Sequence, residues 1–118
     1  MRRHHDLKAW KSAIRLVKGV YSATAAFPRE EVYGLTSQMR RAAISVPSNI
    51  AEGAARGGTK EFLHFLGVAR GSLSELETQL YLARELGYLD STDDLEAEIE
   101  ELFRMLGGLM SSLKGRDA

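Results

Sequence analysis

Basic residues recur at helical spacing near the start of the chain, in a pattern suited to binding phosphate. Lys8, Lys11, Arg15 and Lys18 follow one another at spacings of three, four and three residues, so a helix would carry them along one flank. Three arginines further on extend the positive charge. The candidate nucleic-acid-binding residues are Lys8, Lys11, Arg15, Lys18, Arg40, Arg41 and Arg56. Aromatic residues do not interleave with them as in a base-stacking platform, so the pattern predicts phosphate contacts without sequence-specific readout.

The same residues have a structural interpretation, which stays open beside the first. A basic stripe is often a solvated face, or it pairs with acids of a neighbouring subunit. Residues 1–58 hold ten Lys and Arg against four acids, and residues 59–118 hold six against twelve, although the formal net charge is zero. Such a split bears on partners and association. The acids available for pairing are Asp93, Asp94, Glu96, Glu98, Glu100 and Glu101.

Enzymatic patterns are weak in this sequence. Glu61 and His64 match the Glu-x-x-His element of di-iron bundles, which needs a second such element and two more inward-facing glutamates. The only other histidines, His4 and His5, precede the predicted helices. No phosphate-binding loop of the Gly-x-x-x-x-Gly-Lys type occurs, and no serine has a suitable base partner. We therefore predict a protein that is not an enzyme, with no catalytic residues, no metal site and no cofactor.

Polar residues follow a proline in the middle of a helical pattern. Pro47 removes one backbone donor and clashes with the carbonyl of Ala43, which frees carbonyl groups near a kink. We interpret Asn49 and Glu52 as structural polar residues that satisfy the kink or bond across to the next helix. Contact with a ligand is the alternative for both.

Two adjacent arginines, Arg40 and Arg41, point about 100° apart on a helix. One of them is therefore expected to pair with Glu75 or Glu77, while the other faces solvent.

Four helices position these side chains, each with apolar residues at spacings of three and four. They are predicted over residues 6–25, over residues 35–56, from a Thr59 cap to Gly87, and from a Ser91 cap onward. The apolar seams are Leu7, Trp10, Ile14, Val17 and Tyr21 in the first helix; Met39, Ala42, Val46, Ile50 and Ala54 in the second; Phe62, Leu66, Ala69, Leu73, Leu76, Leu80 and Ala83 in the third; and Leu95, Ile99, Leu102, Leu106, Leu109 and Leu113 in the fourth.

The seams and connections together predict the fold. Apolar spacing continues on both sides of Pro47, so one kinked helix fits better than two. No segment alternates with period two, which argues against strands. Because the connections are short, neighbouring helices should run antiparallel. We predict an all-α, antiparallel up-down-up-down four-helix bundle with a Pro-kinked second helix, formed by a single domain over residues 1–118.

Two features of the helices predict further packing. Gly67 and Gly71 lie inside the third helix, where each costs up to about 1 kcal/mol relative to alanine, so a close helix approach is expected. Phe103, Met105 and Met110 lie outside the seam of the fourth helix, which suggests a second burial partner and self-association. A few tolerated surface apolar residues are the alternative.

Composition predicts a cytoplasmic protein without a membrane segment. There is no cysteine, which excludes disulfides and suits a reducing compartment. The uncharged run at residues 42–51 is far shorter than the ~20 apolar residues that cross a bilayer. The charged first residues lack the apolar core of a signal peptide.

The sequence resembles a known family over nearly its whole length. The resemblance rests on Asp6, Leu7, Trp10 and Ala13, on residues 35–43 and 45–53, on Phe62 and residues 69–80, and on residues 86–89. These residues resemble the four-helix bundle proteins encoded by intervening sequences in bacterial large-subunit ribosomal RNA genes, often labelled S23 ribosomal protein. That family is similar to the accessory variability protein of diversity-generating retroelements.

The resemblance implies a homopentamer, with five bundles arranged as a ring or barrel, and no catalytic activity. Membership of the ribosome is not implied. The retroelement relatives bind nucleic acid and a reverse transcriptase through basic surfaces. We therefore predict a non-enzymatic, pentameric, nucleic-acid-associated protein that binds RNA or DNA through the basic residues given above. A structural or protein-interaction module, which docks a partner protein without binding nucleic acid, is the alternative.

Overall fold

Four α-helices make up most of the chain in a computed structural model, which describes residue 4 and residues 7–116. They are α1 (Lys8–Thr24), α2 (Leu35–Ala55), α3 (Thr59–Glu85) and α4 (Asp93–Arg116), and a 3-10 helix, Arg29–Glu31, lies between α1 and α2. The described ranges contain no strand, and the predicted all-α fold is confirmed. The predicted start of the first helix at Asp6, like His5, lies outside the described residues.

The helices form a four-membered bundle in which each one packs against two others. The contacting pairs are α1 with α2, α2 with α3, α3 with α4, and α4 with α1. The bundle measures 48 × 21 × 21 Å. Ser45 meets Ser72, and Gly53 meets Phe62, so the paired positions run in opposite orders along α2 and α3.

Pro47 lies inside α2 and is buried. The helix is continuous from Leu35 to Ala55, so the two apolar stretches on either side of the proline belong to one helix. This continuity was predicted from the apolar spacing; the kink itself stays a prediction.

The core follows three of the four predicted seams closely. All predicted seam residues of α2 and α3 are buried. In α4 the predicted seam is buried except at Leu109, which is half-buried, and Met110 is buried beside it. Phe103 and Met105 are half-buried and pack against the core. Met110 therefore belongs to the core of this chain, and the second burial partner expected for Phe103 and Met105 stays a prediction.

In α1 the buried face differs from the predicted seam. The core residues of this helix are Ala9, Ser12, Ala13, Leu16, Val20 and Thr24. Ile14 and Tyr21, which the spacing assigned to the core, are 37% and 40% exposed. The buried set lies one residue before the predicted set, which corresponds to a rotation of about 100° around the helix axis.

Helix ends agree with the predicted glycines but not with the predicted cap of α3. Gly57 and Gly87 adopt positive φ angles of 83° and 79°, which glycine reaches without a steric penalty. Gly58 is the N-cap of α3, and Thr59 is already helical and makes no capping bond. Ser91 Oγ accepts a hydrogen bond from the Asp93 amide at 3.4 Å, ahead of α4.

Close approach of two helices occurs at a glycine that the sequence did not single out. A Cβ at Gly53 would lie 2.9 Å from Phe65 Cβ and 3.3 Å from the carbonyl oxygen of Phe62. Gly53 therefore lets α2 and α3 cross. At Gly67 and Gly71 a Cβ would meet nothing within 4 Å, so these glycines do not serve packing within this chain.

Candidate nucleic-acid interface

A basic stripe, consisting of Lys8, Lys11, Arg15 and Lys18, follows the outer face of α1. All four side chains are exposed, because the core face of α1 lies on the opposite side of the helix. Within the described part of the chain, no carboxylate forms an ion pair with any of them. The stripe spans about 15 Å at 1.5 Å per residue. It therefore presents four positive charges at spacings that match several phosphates.

The basic stripe contains two lines of residues with different neighbours. Lys11 and Lys18 are seven residues apart and flank Ile14. Lys8 and Arg15 are also seven apart and lie toward α4, next to Ser12 and Gly19. A Cβ at Gly19 would lie 3.0 Å from the Leu95 side chain and 3.4 Å from a carboxylate oxygen of Glu98, which places α4 beside this line.

Arg40 is engaged inside the chain rather than presented to solvent. Its Nε donates a hydrogen bond to Thr24 Oγ1 at 2.9 Å, and Nη2 donates to the carbonyl of Tyr21 at 3.5 Å. The guanidinium also lies 4.4 Å from the centre of the Tyr21 ring, a cation–π distance. Arg40 therefore fastens α2 to the end of α1. The expected pairing with Glu75 or Glu77 is not made by this arginine.

Arg41 and Arg56 lie apart from the basic stripe. Arg41 is exposed and lines a groove between α2 and α3 together with Gln38 and Glu75. Arg56 forms an ion pair with Glu52 at 3.5 Å and covers the Phe65 ring at 5.1 Å. The seven predicted residues thus occupy four places on the bundle rather than one continuous surface.

Acids of α4 find some partners within the chain. Glu96 pairs with Arg84 of α3 at 3.6 Å. Arg104 pairs with Glu101 and lies 4.0 Å from Glu100, and the Glu101 carboxylate raises the pKa of the arginine. These pairs are exposed and contribute little to stability.

Asn49 belongs to a hydrogen-bond network that joins α2 to α3. Its Nδ2 donates to the Ser45 carbonyl at 2.8 Å and to Ser45 Oγ at 2.9 Å. Ser45 Oγ lies 2.8 Å from Ser72 Oγ, so the two hydroxyls form a hydrogen bond across the interface. The carbonyl that Pro47 leaves without its amide donor is that of Ala43, so the bonds of Asn49 to Ser45 link the two helices rather than satisfy that carbonyl.

An apolar groove between α1 and α2 was not anticipated from the sequence. It is open to solvent, has a volume of about 360 Å³, and is lined by His4, Trp10, Ile14, Val17, Ile44, Pro47, Ser48 and Ala51. Ile44 is 41% exposed at its rim. Trp10 and Val17 pack partly against the core and, together with exposed Ile14, form the α1 side of this groove.

The two loops at one end of the bundle are joined by Glu31. Its carboxylate accepts hydrogen bonds from the Leu35 amide at 3.0 Å and from the Tyr88 hydroxyl at 2.8 Å. These two donors hold the pKa of Glu31 below its ordinary value, and the carboxylate raises the pKa of Tyr88 in return. The same contact fixes the start of α2.

The weak enzymatic pattern gains no support from the geometry. Glu61 and His64 are exposed on α3, and the His64 ring packs against the neighbouring Phe65 ring at 5.0 Å. No three His, Asp or Glu side chains among the described residues converge on a point where a metal ion would fit. None of the described helices is long and apolar enough to span a bilayer.

A model of a known protein family matches most of the chain. The family model described as 23S rRNA-intervening sequence protein matches residues 5–108. That range contains α1, α2, α3 and most of α4, together with the basic stripe and all of the groove residues except His4. No curated protein matches the chain.

Proposed function

Because this chain belongs to the 23S rRNA-intervening sequence protein family, we propose that it is a non-enzymatic, nucleic-acid-associated accessory protein. It binds the phosphate backbone of RNA or DNA through the basic stripe on α1. The observation that carries this proposal is the exposure of Lys8, Lys11, Arg15 and Lys18 on one helix face without ion-pair partners in the described chain. Such a face can contact phosphates in any sequence, and no aromatic residues interleave with its side chains to stack on bases.

The proposal includes a homopentamer, as the family resemblance implies. Four positive charges on one bundle support only weak binding, because each phosphate contact is screened by salt. Five copies of the basic stripe on one particle would raise the affinity through multivalency, provided that one nucleic acid reaches several copies. A cysteine-free chain of this kind also suits the cytoplasm.

The proposal depends mainly on the basic stripe, because the three arginines outside it have other surroundings. Arg40 bonds to Thr24 and packs on the Tyr21 ring, so we assign it a structural role. Arg56, whose ion pair with Glu52 is exposed, is a secondary candidate for phosphate contact. Arg41 is exposed in a different groove and is a secondary contact at most. Asn49 and Glu52 remain structural polar residues in this proposal, since each bonds within α2.

Binding to a labelled structured RNA at salt concentrations from about 50 to 300 mM tests the proposal. The variant carries Lys8→Glu and Arg15→Glu, the line of the basic stripe that lies away from the apolar groove. We expect weak binding by the natural sequence that falls steeply with salt, and a shallower salt slope with at least tenfold lower affinity for the variant.

A matched control reverses two exposed charges elsewhere. Arg70→Glu and Lys114→Glu change the net charge equally but leave α1 intact. RNA affinity of the control should stay within about threefold of the natural sequence. Equal losses in both variants would mean that only net charge matters, and unchanged binding in the Lys8 and Arg15 variant would refute the proposed interface.

A protein-interaction module is the second candidate. It is favoured by exposed apolar side chains, above all Tyr33, which is 97% exposed in the loop before α2, and by the groove at Ile14 and Ile44. Light scattering separates the candidates. A mass near five chains that increases with RNA only at low salt supports the first, and an oligomer indifferent to RNA supports the second.

A further inference from the structure

The apolar groove between α1 and α2 is a surface that nothing within the described chain covers. Ile14 and Ile44 are 37% and 41% exposed at this groove, beside half-buried Trp10 and Val17. We infer that the groove receives α3 of a second copy of this chain. The inference rests on the proposed oligomer and names the two surfaces that build it.

The outer face of α3 has the shape that such a groove requires. A Cβ at Gly67 or at Gly71 would meet nothing within 4 Å, so neither glycine is needed for packing inside the chain. Val68 lies between them in sequence and is 40% exposed. Missing side chains at two positions one turn apart allow another backbone to approach closely. Packing within one chain does not explain these two glycines, whereas close contact with a second copy of the chain would.

The two surfaces lie at the same height along the bundle. Ser45 of α2 is level with Ser72 of α3, and Gly53 is level with Phe62 and Phe65. Among the groove residues of α2, Ala51 lies between these two levels and Ile44 lies one residue beyond the Ser45 level. Gly67, Val68 and Gly71 lie between the same two levels on α3.

Equal height has a consequence for assembly. Two different surfaces in contact form a head-to-tail interface, which generates a closed ring only when successive copies are related by rotation without a shift along the axis. Because the groove and the glycine face are level, their docking needs no such shift. The pairing therefore suits a ring such as a pentamer.

Charges on the two surfaces are complementary. Lys11 and Lys18 flank Ile14 beside the groove, and both are exposed. On α3, Glu61 and Glu75 lie seven residues before and after Val68, so all three share one line of the helix. Both glutamates are exposed, and Glu75 accepts only a 3.3 Å hydrogen bond from Gln79 within the chain. Exposed lysines about 10 Å apart thus flank the groove, and exposed glutamates about 21 Å apart flank Val68, so the two surfaces are opposite in charge. In the oligomer Lys11 and Lys18 would lie at this contact, which leaves Lys8 and Arg15 as the part of the basic stripe that binds phosphate.

Disulfide trapping tests this interface cleanly, because the natural sequence contains no cysteine. Two full-length chains, one with Ile44→Cys and one with Gly71→Cys, are co-expressed and oxidised. We expect a covalent dimer that contains one of each chain, since the two positions meet only between copies. A matched pair, Ile44→Cys with Arg70→Cys, uses a neighbouring exposed position of α3 away from the glycine face and should cross-link far less.

The outcomes distinguish this inference from the proposed function. Cross-links that join two Ile44→Cys chains would indicate a symmetric contact and overturn the inference. An uncross-linked protein whose mass is still several chains would also overturn it while leaving the oligomer intact. A monomeric natural sequence would overturn the oligomer itself. Retention of RNA binding is measured separately with Lys8→Glu and Arg15→Glu, which lie outside both surfaces.

A bulky substitution on α3 provides a second readout. Gly67→Gln and Gly71→Gln together should leave the helical circular dichroism and the Tm of the bundle unchanged or raise the Tm, because the new side chains point into open space and glutamine favours helix. They should reduce the mass from an oligomer to a single chain. An oligomer of unchanged mass would contradict the inference.

Discussion

The hydroxyl of Tyr88 donates a 2.8 Å hydrogen bond to the carboxylate of Glu31, 57 residues earlier in the chain. This bond joins the loop after α1 to the loop after α3. The Tyr88 ring also packs against Phe27 at a centroid distance of 5.3 Å, and the other carboxylate oxygen of Glu31 accepts the Leu35 amide at 3.0 Å. One side chain therefore caps α2 and fastens two loops together.

Tyr88→Phe should lower the Tm by a few degrees at pH 7. The substitution keeps the ring against Phe27 but removes the hydroxyl, which leaves one Glu31 oxygen without this donor. Thermal unfolding followed by circular dichroism measures the loss. Tyr81→Phe is the matched control, because Tyr81 is 54% exposed and should tolerate the change without a shift in Tm.

The stability difference between Tyr88→Phe and the natural sequence should depend on pH at both extremes. The Leu35 amide and, second to it, the Tyr88 hydroxyl lower the pKa of Glu31 from 4.5. The Tyr88 part, which the variant lacks, is complete above that value and is lost as pH falls through the lowered pKa. Folding raises the pKa of Tyr88 from 10.0, so its contribution is complete below that value and is lost as pH rises through the raised pKa. A difference that stays constant from pH 3 to pH 7 would contradict the bond's role.

The apolar spacing predicted the core well where large residues form the seam. In α3, for example, Phe62, Leu66 and Leu73 recur at intervals of three and four and are all buried. The energy of burying large apolar side chains dominates at such positions, so sequence and structure agree. In α1 the core is formed largely by Ala9, Ala13 and other small residues. Small residues contribute little to a pattern of apolar spacing, whereas Trp10 and Ile14 contribute strongly. The predicted face therefore lies one residue after the observed one.

The candidate site could be predicted less completely than the fold. Periodicity correctly placed Lys8, Lys11, Arg15 and Lys18 on one exposed flank, because spacing fixes positions on a helix. It gave no information on tertiary partners. The Tyr21 ring that holds Arg40 lies 19 residues away in sequence, on another helix. Similarly, only the crossing of two backbones shows why glycine is needed at Gly53 rather than at Gly67.

Gly53→Ala should destabilise the protein by about 1–3 kcal/mol, although alanine favours helix. The added Cβ would lie 2.9 Å from Phe65 Cβ and 3.3 Å from a backbone oxygen of Phe62, and neither atom belongs to the end of a flexible side chain. Urea unfolding measures the change. Gly108→Ala in α4, where a Cβ meets nothing within 4 Å, should instead stabilise by up to about 1 kcal/mol. Equal effects at the two positions would show that the α2–α3 crossing does not require glycine.

Arg40→Met should cost about 1 kcal/mol of stability while leaving RNA affinity within about threefold of the natural sequence. Methionine keeps part of the packing against Tyr21 but loses the hydrogen bond to Thr24. Unfolding and RNA-binding measurements on the same preparation separate the two effects. A large loss of RNA affinity without a loss of stability would return Arg40 to the phosphate-binding set.

Asn49→Ala should destabilise the protein by about 1 kcal/mol, because it removes two hydrogen bonds to Ser45 near the buried proline. The structural role also predicts coupling with Ser72, whose hydroxyl bonds to Ser45 Oγ at 2.8 Å across the α2–α3 interface. Ser72→Ala and the double variant complete a double-mutant cycle, in which the two losses should differ from additivity by about 0.5 kcal/mol or more. Ser74→Ala, at an exposed position of α3, serves as the control. If Asn49→Ala leaves stability unchanged but weakens RNA binding, Asn49 contacts a ligand, and the structural role assigned to it is wrong.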